Sequence, residues 1–180
     1  MLLNDLRLIY PEIILFFGAV MILVYGIFSS NDEKSIKNIF YLTIVTLFLS
    51  FYFSLNFVPL DIYGFNKLII NNNFSQLFKF LVLIGTIIVC FISYNYFDYL
   101  KILKPEYFFL ILLATLGILI MVSSSSILSM YIGLELQSIC LYILASYRKD
   151  YLKSAESGVK YFILGALSSG ILLYGLSLIY

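Results

Sequence analysis

Two ionisable residues stand where apolar ones would be expected. Glu135 falls inside YIGLELQSICLYILASYRKD, residues 131–150, with Glu106 the nearest charge before it and Arg148 the nearest after it. Lys160 opens a second apolar stretch, one helical turn beyond Glu156. A carboxylate at the centre of a membrane helix costs about 2.5–3.5 kcal/mol on insertion scales. Ionisable groups kept at that depth mark ion and proton pathways, so Glu135 is the first candidate for a proton relay. The blander reading is a carboxyl that bonds two helices together. Ser, Thr, Asn or Gln do that at lower cost. Gln137 and Ser138 lie beside Glu135, and Gly133 lets a neighbouring helix approach. Glu156 and Lys160 form an i, i+4 pair in the favourable order. That leaves two readings of Lys160 open: a member of the relay, or a helix-start lysine that pairs with Glu156 and snorkels to the surface.

Depth relates the two candidates. With span five ending near residue 147, Glu135 is ~16 Å from that end at the α-helical rise. With span six starting near Glu156, Lys160 is ~6 Å deep. The difference of ~10 Å exceeds one hydrogen bond and suits a chain of waters or hydroxyls. Ser168 and Ser169 in GALSSGILLYG are candidates for such a chain. The small pairs Gly165/Ser169 and Ala166/Gly170 more simply let helices pack closely.

These residues need membrane helices to hold them. Of 180 residues, 62% are hydrophobic and 12% charged, where a soluble domain is roughly a quarter charged. An all-α polytopic membrane protein follows. Stretches free of charge predict six spans in one membrane domain over 1–180: 10–31, 38–60, 77–97, 105–124, 126–147 and 156–179, with a loop over 59–76. The run from Tyr107 to Tyr147 is about twice the length of one span and must turn back at Ser123–Ser126, whose hydroxyls can satisfy a broken backbone. Pro11-Glu12 and Pro105-Glu106 read as helix starts, with both acids assigned to capping and the surface. The loop PLDIYGFNKLIINNNFSQ reads as a small extramembrane hairpin.

The positive-inside rule sets the orientation. Lys34, Lys37, Lys101, Lys104, Arg148, Lys149 and Lys153 follow spans one, three and five, whereas Arg7, Lys67 and Lys79 fall on the other side. The first set is expected inside and both termini outside. The N-terminus has no basic leader region or cleavage site, so the first apolar run is expected to be retained.

Composition excludes other classes. There is no basic patch for nucleic acid. The chain has no histidine and only two cysteines, Cys90 and Cys140, far apart in apolar runs, so the usual zinc and haem ligand sets are missing. No nucleotide loop, metal cluster or catalytic triad is present, and nothing here binds NADH or flavin.

From Leu128 to Tyr180 the sequence closely resembles the subunit 2 (mitochondrial) and subunit N (bacterial) family of NADH:ubiquinone oxidoreductase, complex I. The resemblance rests on Leu-Glu-Leu-Gln-Ser at 134–138, Glu-Ser-Gly-Val-Lys-Tyr-Phe at 156–162 and Gly-Ala-Leu-Ser-Ser-Gly at 165–170. Residues 1–127 match in layout more than in motif; around Asn72 the family often carries an aspartate, so no ionic role is assigned there. The resemblance implies a proton-translocating, antiporter-like subunit of the respiratory chain. Glu135 matches the span-five glutamate of its charge relay, and Lys160 matches the span-six lysine of the input path or relay.

The resemblance also implies that the chain itself holds no cofactor. Flavin, iron–sulfur clusters and ubiquinone are expected in other subunits. The expected partners are the other complex I membrane subunits and membrane lipids, with no nucleic acid. Family members continue for many more spans, so a second polypeptide carrying the remaining spans is expected, as from a split gene. The Phe-, Tyr-, Ile- and Asn-rich composition suits an AT-rich genome, and the mitochondrial inner membrane is the expected location, with the bacterial inner membrane as the alternative. Two competing functions remain: a structural membrane subunit with a non-pumping relay remnant, and a subunit of a related cation/proton antiporter or membrane hydrogenase.

Overall fold

Proline opens two of the six long helices, at the helix start where its missing N–H breaks no bond. The computed structural model describes residues 6–29, 33–56, 62–148 and 150–179. Helix α1 runs Tyr10–Phe28, α2 Glu33–Asn56, α3 Asn73–Tyr99, α4 Pro105–Ser123, α5 Ile127–Ala145 and α6 Leu152–Ile179. All six are long and apolar enough to cross a membrane. Residues 30–31 and 57–60 of the first two expected spans lie outside the described residues, as does Lys149.

Three helices start earlier than charge counting placed them, α2 among them at Glu33 rather than 38. Helix α3 begins at Asn73 rather than 77, and α6 at Leu152 rather than 156. Their first turns are polar, so hydropathy discards them. Asn72 caps α3: its side chain accepts from Ser75 N (2.8 Å), and Ser75 Oγ accepts from Asn72 N (2.9 Å). This reciprocal box satisfies two otherwise orphaned donors and gives Asn72 a local role that needs no charge.

The loop between α2 and α3 contains an antiparallel hairpin, β1 Ile62–Gly64 with β2 Ile69–Asn71. Its turn places Phe65, Asn66 and Lys67 at positive φ. The hairpin lies against the α4–α5 turn: Ile69 bridges Ser124, and Leu68 O accepts from Ser125 N and Ser129 Oγ, each at 2.9 Å. Ser126 caps α5 by accepting from Ser129 N. The serine run therefore turns the chain with the hydroxyls of Ser123, Ser124 and Ser126 hydrogen-bonded.

Helix α4 is the axis of the bundle. It buries Phe108, Leu112, Leu116 and Leu119 and packs on α1, α3 and α5. Helix α6 packs on α5, with Gly158 its one buried residue among those described.

One expectation is overturned here. Glu12 is not a surface cap. It is 6% exposed, and Lys79 Nζ lies 2.7 Å from its Oε1. Lys79, counted on the outer face from its sequence position, is 1% exposed inside the bundle. Glu106, by contrast, is exposed in the first turn of α4, as expected of a helix-start acid.

Candidate functional site

Glu135 lies at the middle of α5, ten residues from its last residue, Ala145, or ~15 Å along the axis. Two helix contacts bracket it. On one side the α4–α5 crossing is nearly backbone to backbone. A Cβ on Gly133 would lie 2.7 Å from Met121 N and 2.8 Å from Gly117 O; one on Gly117 would lie 2.7 Å from Gln137 N. Only glycine permits that approach at both positions, so the expectation for Gly133 holds and its partner is Gly117.

On the other side, Tyr131 sits one turn before Glu135 on the same face. Its hydroxyl lies close to both Glu135 and Ser169 of α6. Two turns further along that stripe, Tyr142 faces α6. Its ring meets Tyr161 edge-on at 4.8 Å, and its hydroxyl fills the space a Cβ on Gly165 would occupy. Gly165 is thus required by a tyrosine, while Gly170 meets nothing within 4 Å and leaves the expected Ala166/Gly170 pair without a neighbour.

Glu135 is half-buried as a residue, but its Oε1 is buried without a hydrogen-bond partner. A buried carboxylate oxygen left unbonded is costly, and such groups recur at sites that exchange protons or await a partner. Ser138 does not serve it, because its hydroxyl donates to Leu134 O (2.8 Å). Ser169 likewise donates to its own helix, at Ala166 O (3.2 Å), and Ser168 is exposed.

Lys160 is placed elsewhere. It pairs with Glu156 at 2.5 Å, with 69% and 61% of the two side chains exposed. Among the described residues it forms no ion pair with Glu135. It lies eight residues into α6, counted from Leu152, which is ~12 Å along the axis. The two candidates are therefore closer in depth than the expected helix start implied, yet they occupy different faces.

Two features escaped the sequence reading. The first is the Glu12–Lys79 pair, in which Ser123 Oγ donates to the same Glu12 oxygen at 3.3 Å. The second is Tyr131, whose spacing from Glu135 was the available signal. Outside the spans, Tyr147 clamps the α3–α4 connection. Its hydroxyl donates to Ile102 O (3.1 Å) and accepts from Lys104 N (2.8 Å). Burial pushes the Tyr147 hydroxyl up to about 12, so it stays protonated and able to donate.

Residues 124–180 match the family model described as NADH:quinone oxidoreductase/Mrp antiporter, TM. NADH-quinone oxidoreductase subunit N of Bartonella bacilliformis is 43% identical over 176 residues, covering 98% of this chain and 36% of that protein. The Pelagibacter ubique subunit N is 42% identical over 179 residues, covering 98% and 37%. The likeness thus extends through the N-terminal part, well beyond the motifs of α5 and α6. A chain of respiratory complex I from Thermus thermophilus superposes with a TM-score of 0.69 at 25% identity, covering 94% of this chain and 36% of that one. A chain of the archaeal membrane-bound sulfane sulfur reductase shares the fold, with a TM-score of 0.70 at 22% identity over 100% of this chain and 37% of that one. The chain spans a little over a third of the length of the relatives it matches.

Proposed function

We propose that the chain is an antiporter-like membrane subunit of the NADH:quinone oxidoreductase kind that its relatives represent, and that it works within a proton-translocating respiratory complex. Glu135 is the relay carboxylate in this reading. The observation that carries it is a mid-helix carboxylate whose Oε1 is buried and unbonded, held between a glycine crossing and a tyrosine.

The chemistry asked of Glu135 is to hold a proton at its carboxyl oxygen and release it when a neighbouring charge changes. Tyr131 orients the carboxyl. Lys160, paired with Glu156, supplies the movable positive charge that biases it. Flavin, iron–sulfur clusters and ubiquinone belong to other subunits, and electron transfer reaches this chain as a change of charge or conformation.

The open flank of α6 supports a further part of the proposal. The remaining spans of the family, about two thirds of the relatives' length, would lie in a second polypeptide or further along the same one. They would pack against α5 and α6 beside the other membrane subunits. The matched relatives are bacterial, which favours the bacterial inner membrane over the mitochondrial one first expected.

Replacing Glu135 with Gln tests the reading, because Gln is nearly isosteric and cannot ionise. In inverted vesicles containing the assembled complex, E135Q should abolish or strongly reduce proton uptake driven by NADH oxidation. Unchanged uptake with normal assembly would leave the structural-subunit reading in its place. Absence of the chain from the NADH-oxidising band on a native gel would favour a related antiporter or hydrogenase complex.

A further inference from the structure

The end of the bundle that carries the hairpin holds buried polar groups that the site around Glu135 does not use. Glu12, Lys79, Ser54, Ser75 and Asn71 are all buried there. Outside the Glu12–Lys79 ion pair, three atoms have no hydrogen-bond partner among the described residues: Glu12 Oε2, Lys79 Nζ and Ser54 Oγ. Two bonds fix Ser54 beside the pair. Ser50, one turn earlier on α2, donates to Pro11 O (3.1 Å), next to Glu12. Gln76, three residues before Lys79 on α3, donates to Ser54 O (3.2 Å). Buried polar atoms left unbonded are uncommon, and each calls for a role.

These groups connect outward. Ser75, one turn before Lys79, donates to Asn71 Oδ1 at 3.5 Å, and Asn71 belongs to β2 of the hairpin. Buried polar side chains therefore run from Glu12 to the hairpin, whereas further along α4 the buried positions are Leu112, Leu116 and Leu119. The α4–α5 crossing sets Gly117 against both Gly133 and Gln137, so Glu135 is level with Gly117. Ser123, which donates to Glu12, is six residues further along α4, or ~9 Å nearer the hairpin face. The pair thus lies between the depth of Glu135 and the face expected outside. Among the described residues Lys79 of α3 is the one charged partner of Glu12. Helices α2 and α4 bring hydroxyls, Ser54 and Ser123, while Arg7 and Lys67 at this end are exposed. Glu12 Oε2 can therefore take a proton while Oε1 still holds Ser123.

We propose that Glu12 is a second proton-binding carboxylate of this chain, reached by water from the hairpin face along Asn71, Ser75 and Ser54, with Lys79 as the counter-charge that protonation frees. In the step, a hydronium gives its proton to Glu12 Oε2 and leaves as water. The neutral carboxyl keeps Ser123, and the ammonium of Lys79 turns to Ser54 Oγ, a buried hydroxyl with an open acceptor position. Release reverses the step. For its place in proton translocation the inference rests on the function proposed above; the binding of the proton does not.

The test uses dicyclohexylcarbodiimide on native membranes. A protonated carboxyl in an apolar setting adds its O–H across one C=N bond of this probe, and the O-acylisourea rearranges to a stable N-acylurea with no other reactant. The hairpin face, expected outside, is the lumen of inverted vesicles. Label at Glu12, read by peptide mass spectrometry, should rise severalfold when the lumen alone is acidified and stay low when only the bath is. Lys79→Met should label strongly whichever side is acidified, because a buried carboxyl that has lost its counter-charge neutralises. Glu12→Gln with Lys79→Met removes both charges and keeps the shape. A pair that only packs predicts normal assembly and normal NADH-driven uptake in that double variant, whereas the proposal predicts normal assembly with uptake cut severalfold. No label at Glu12, label that follows the bath, or full uptake in the double variant would overturn it. Glu135→Gln in the same vesicles reads the relay separately: unchanged uptake there, with Glu12 labelled from the lumen, sinks the relay role of Glu135 and leaves this site standing. If the double variant fails to assemble, the sided labelling decides.

Discussion

Lys79 and Glu12 meet inside the bundle, Nζ to Oε1 at 2.7 Å, with 1% and 8% of their side chains exposed. Ser123 donates to the same carboxylate oxygen, so α1, α3 and the end of α4 converge on one atom. Taking two charges out of water costs several kcal/mol per ion, and their attraction offsets this only with close geometry. Breaking such a pair is worse than never having made it. Lys79→Met leaves a buried carboxylate without its counter-charge and should destabilise the bundle by about 3–5 kcal/mol. Replacing both residues, as in Glu12→Leu with Lys79→Met, should recover most of that loss. Assembled subunit on a native gel, followed through a thermal ramp, measures both variants. A double variant as weak as the sum of the singles would mean the pair is not the unit.

The glycine crossing predicts a contrast between two alanine variants. Gly133→Ala puts a methyl 2.7 Å from Met121 N, and backbone cannot step aside as a side-chain tip can. Overpacking of this kind costs about 1–3 kcal/mol. It also pushes α5, and Glu135 with it, away from α4. Gly170→Ala meets open space and should be neutral or slightly favourable for helix propensity. Both variants should be scored for assembled complex and proton uptake. G133A should lower both and G170A neither.

Much of this was legible in the chain. Six helices follow from apolar length, because a bilayer-spanning helix needs one uninterrupted run and charges punctuate the runs. The Ser123–Ser126 turn follows because a charge-sparse stretch of double length must reverse. The Glu156–Lys160 pair is local, fixed by the helical repeat alone. The Glu12–Lys79 pair was not legible. Each residue had a sufficient local explanation, Glu12 as a helix-start acid and Lys79 as a flanking lysine. Only the packing of α3 beside α1 shows that the two side chains meet. Which of the small residues in α6 would meet a neighbour was equally hidden, since Gly165 is chosen by Tyr142 of another helix.

Tyr147 supplies a test outside the spans. Tyr147→Phe removes the hydroxyl that donates to Ile102 O and accepts from Lys104 N. Each such bond contributes about 0.5–1.5 kcal/mol net, so the effect should be local. Amide hydrogen exchange at residues 101–105 should quicken while the α4 core keeps its protection. The pH dependence has a definite sign. The folded value, about 12, lies above the ordinary tyrosine value of about 10. The contribution is therefore complete below about pH 10 and is lost as the pH rises toward 12. Wild-type protection at 101–105 should fall over that window, and Y147F should show no such step.

Lys160 offers the sharpest separation of a relay charge from a surface pair. Its bond to Glu156 is exposed on both sides, and an exposed i, i+4 pair in water contributes only about 0.3–0.5 kcal/mol. Stability therefore does not explain the lysine. If its charge biases Glu135, Lys160→Gln should cut proton uptake severalfold with assembly intact. Glu156→Gln, which breaks the same pair from the other side, leaves the positive charge in place. It should preserve uptake and shift only its dependence on ionic strength. The two variants differ in which charge they remove and share the loss of the bond. Equal falls in uptake would assign the effect to the pair itself, and unchanged uptake in both would return Lys160 to the role of a snorkelling lysine at the start of α6.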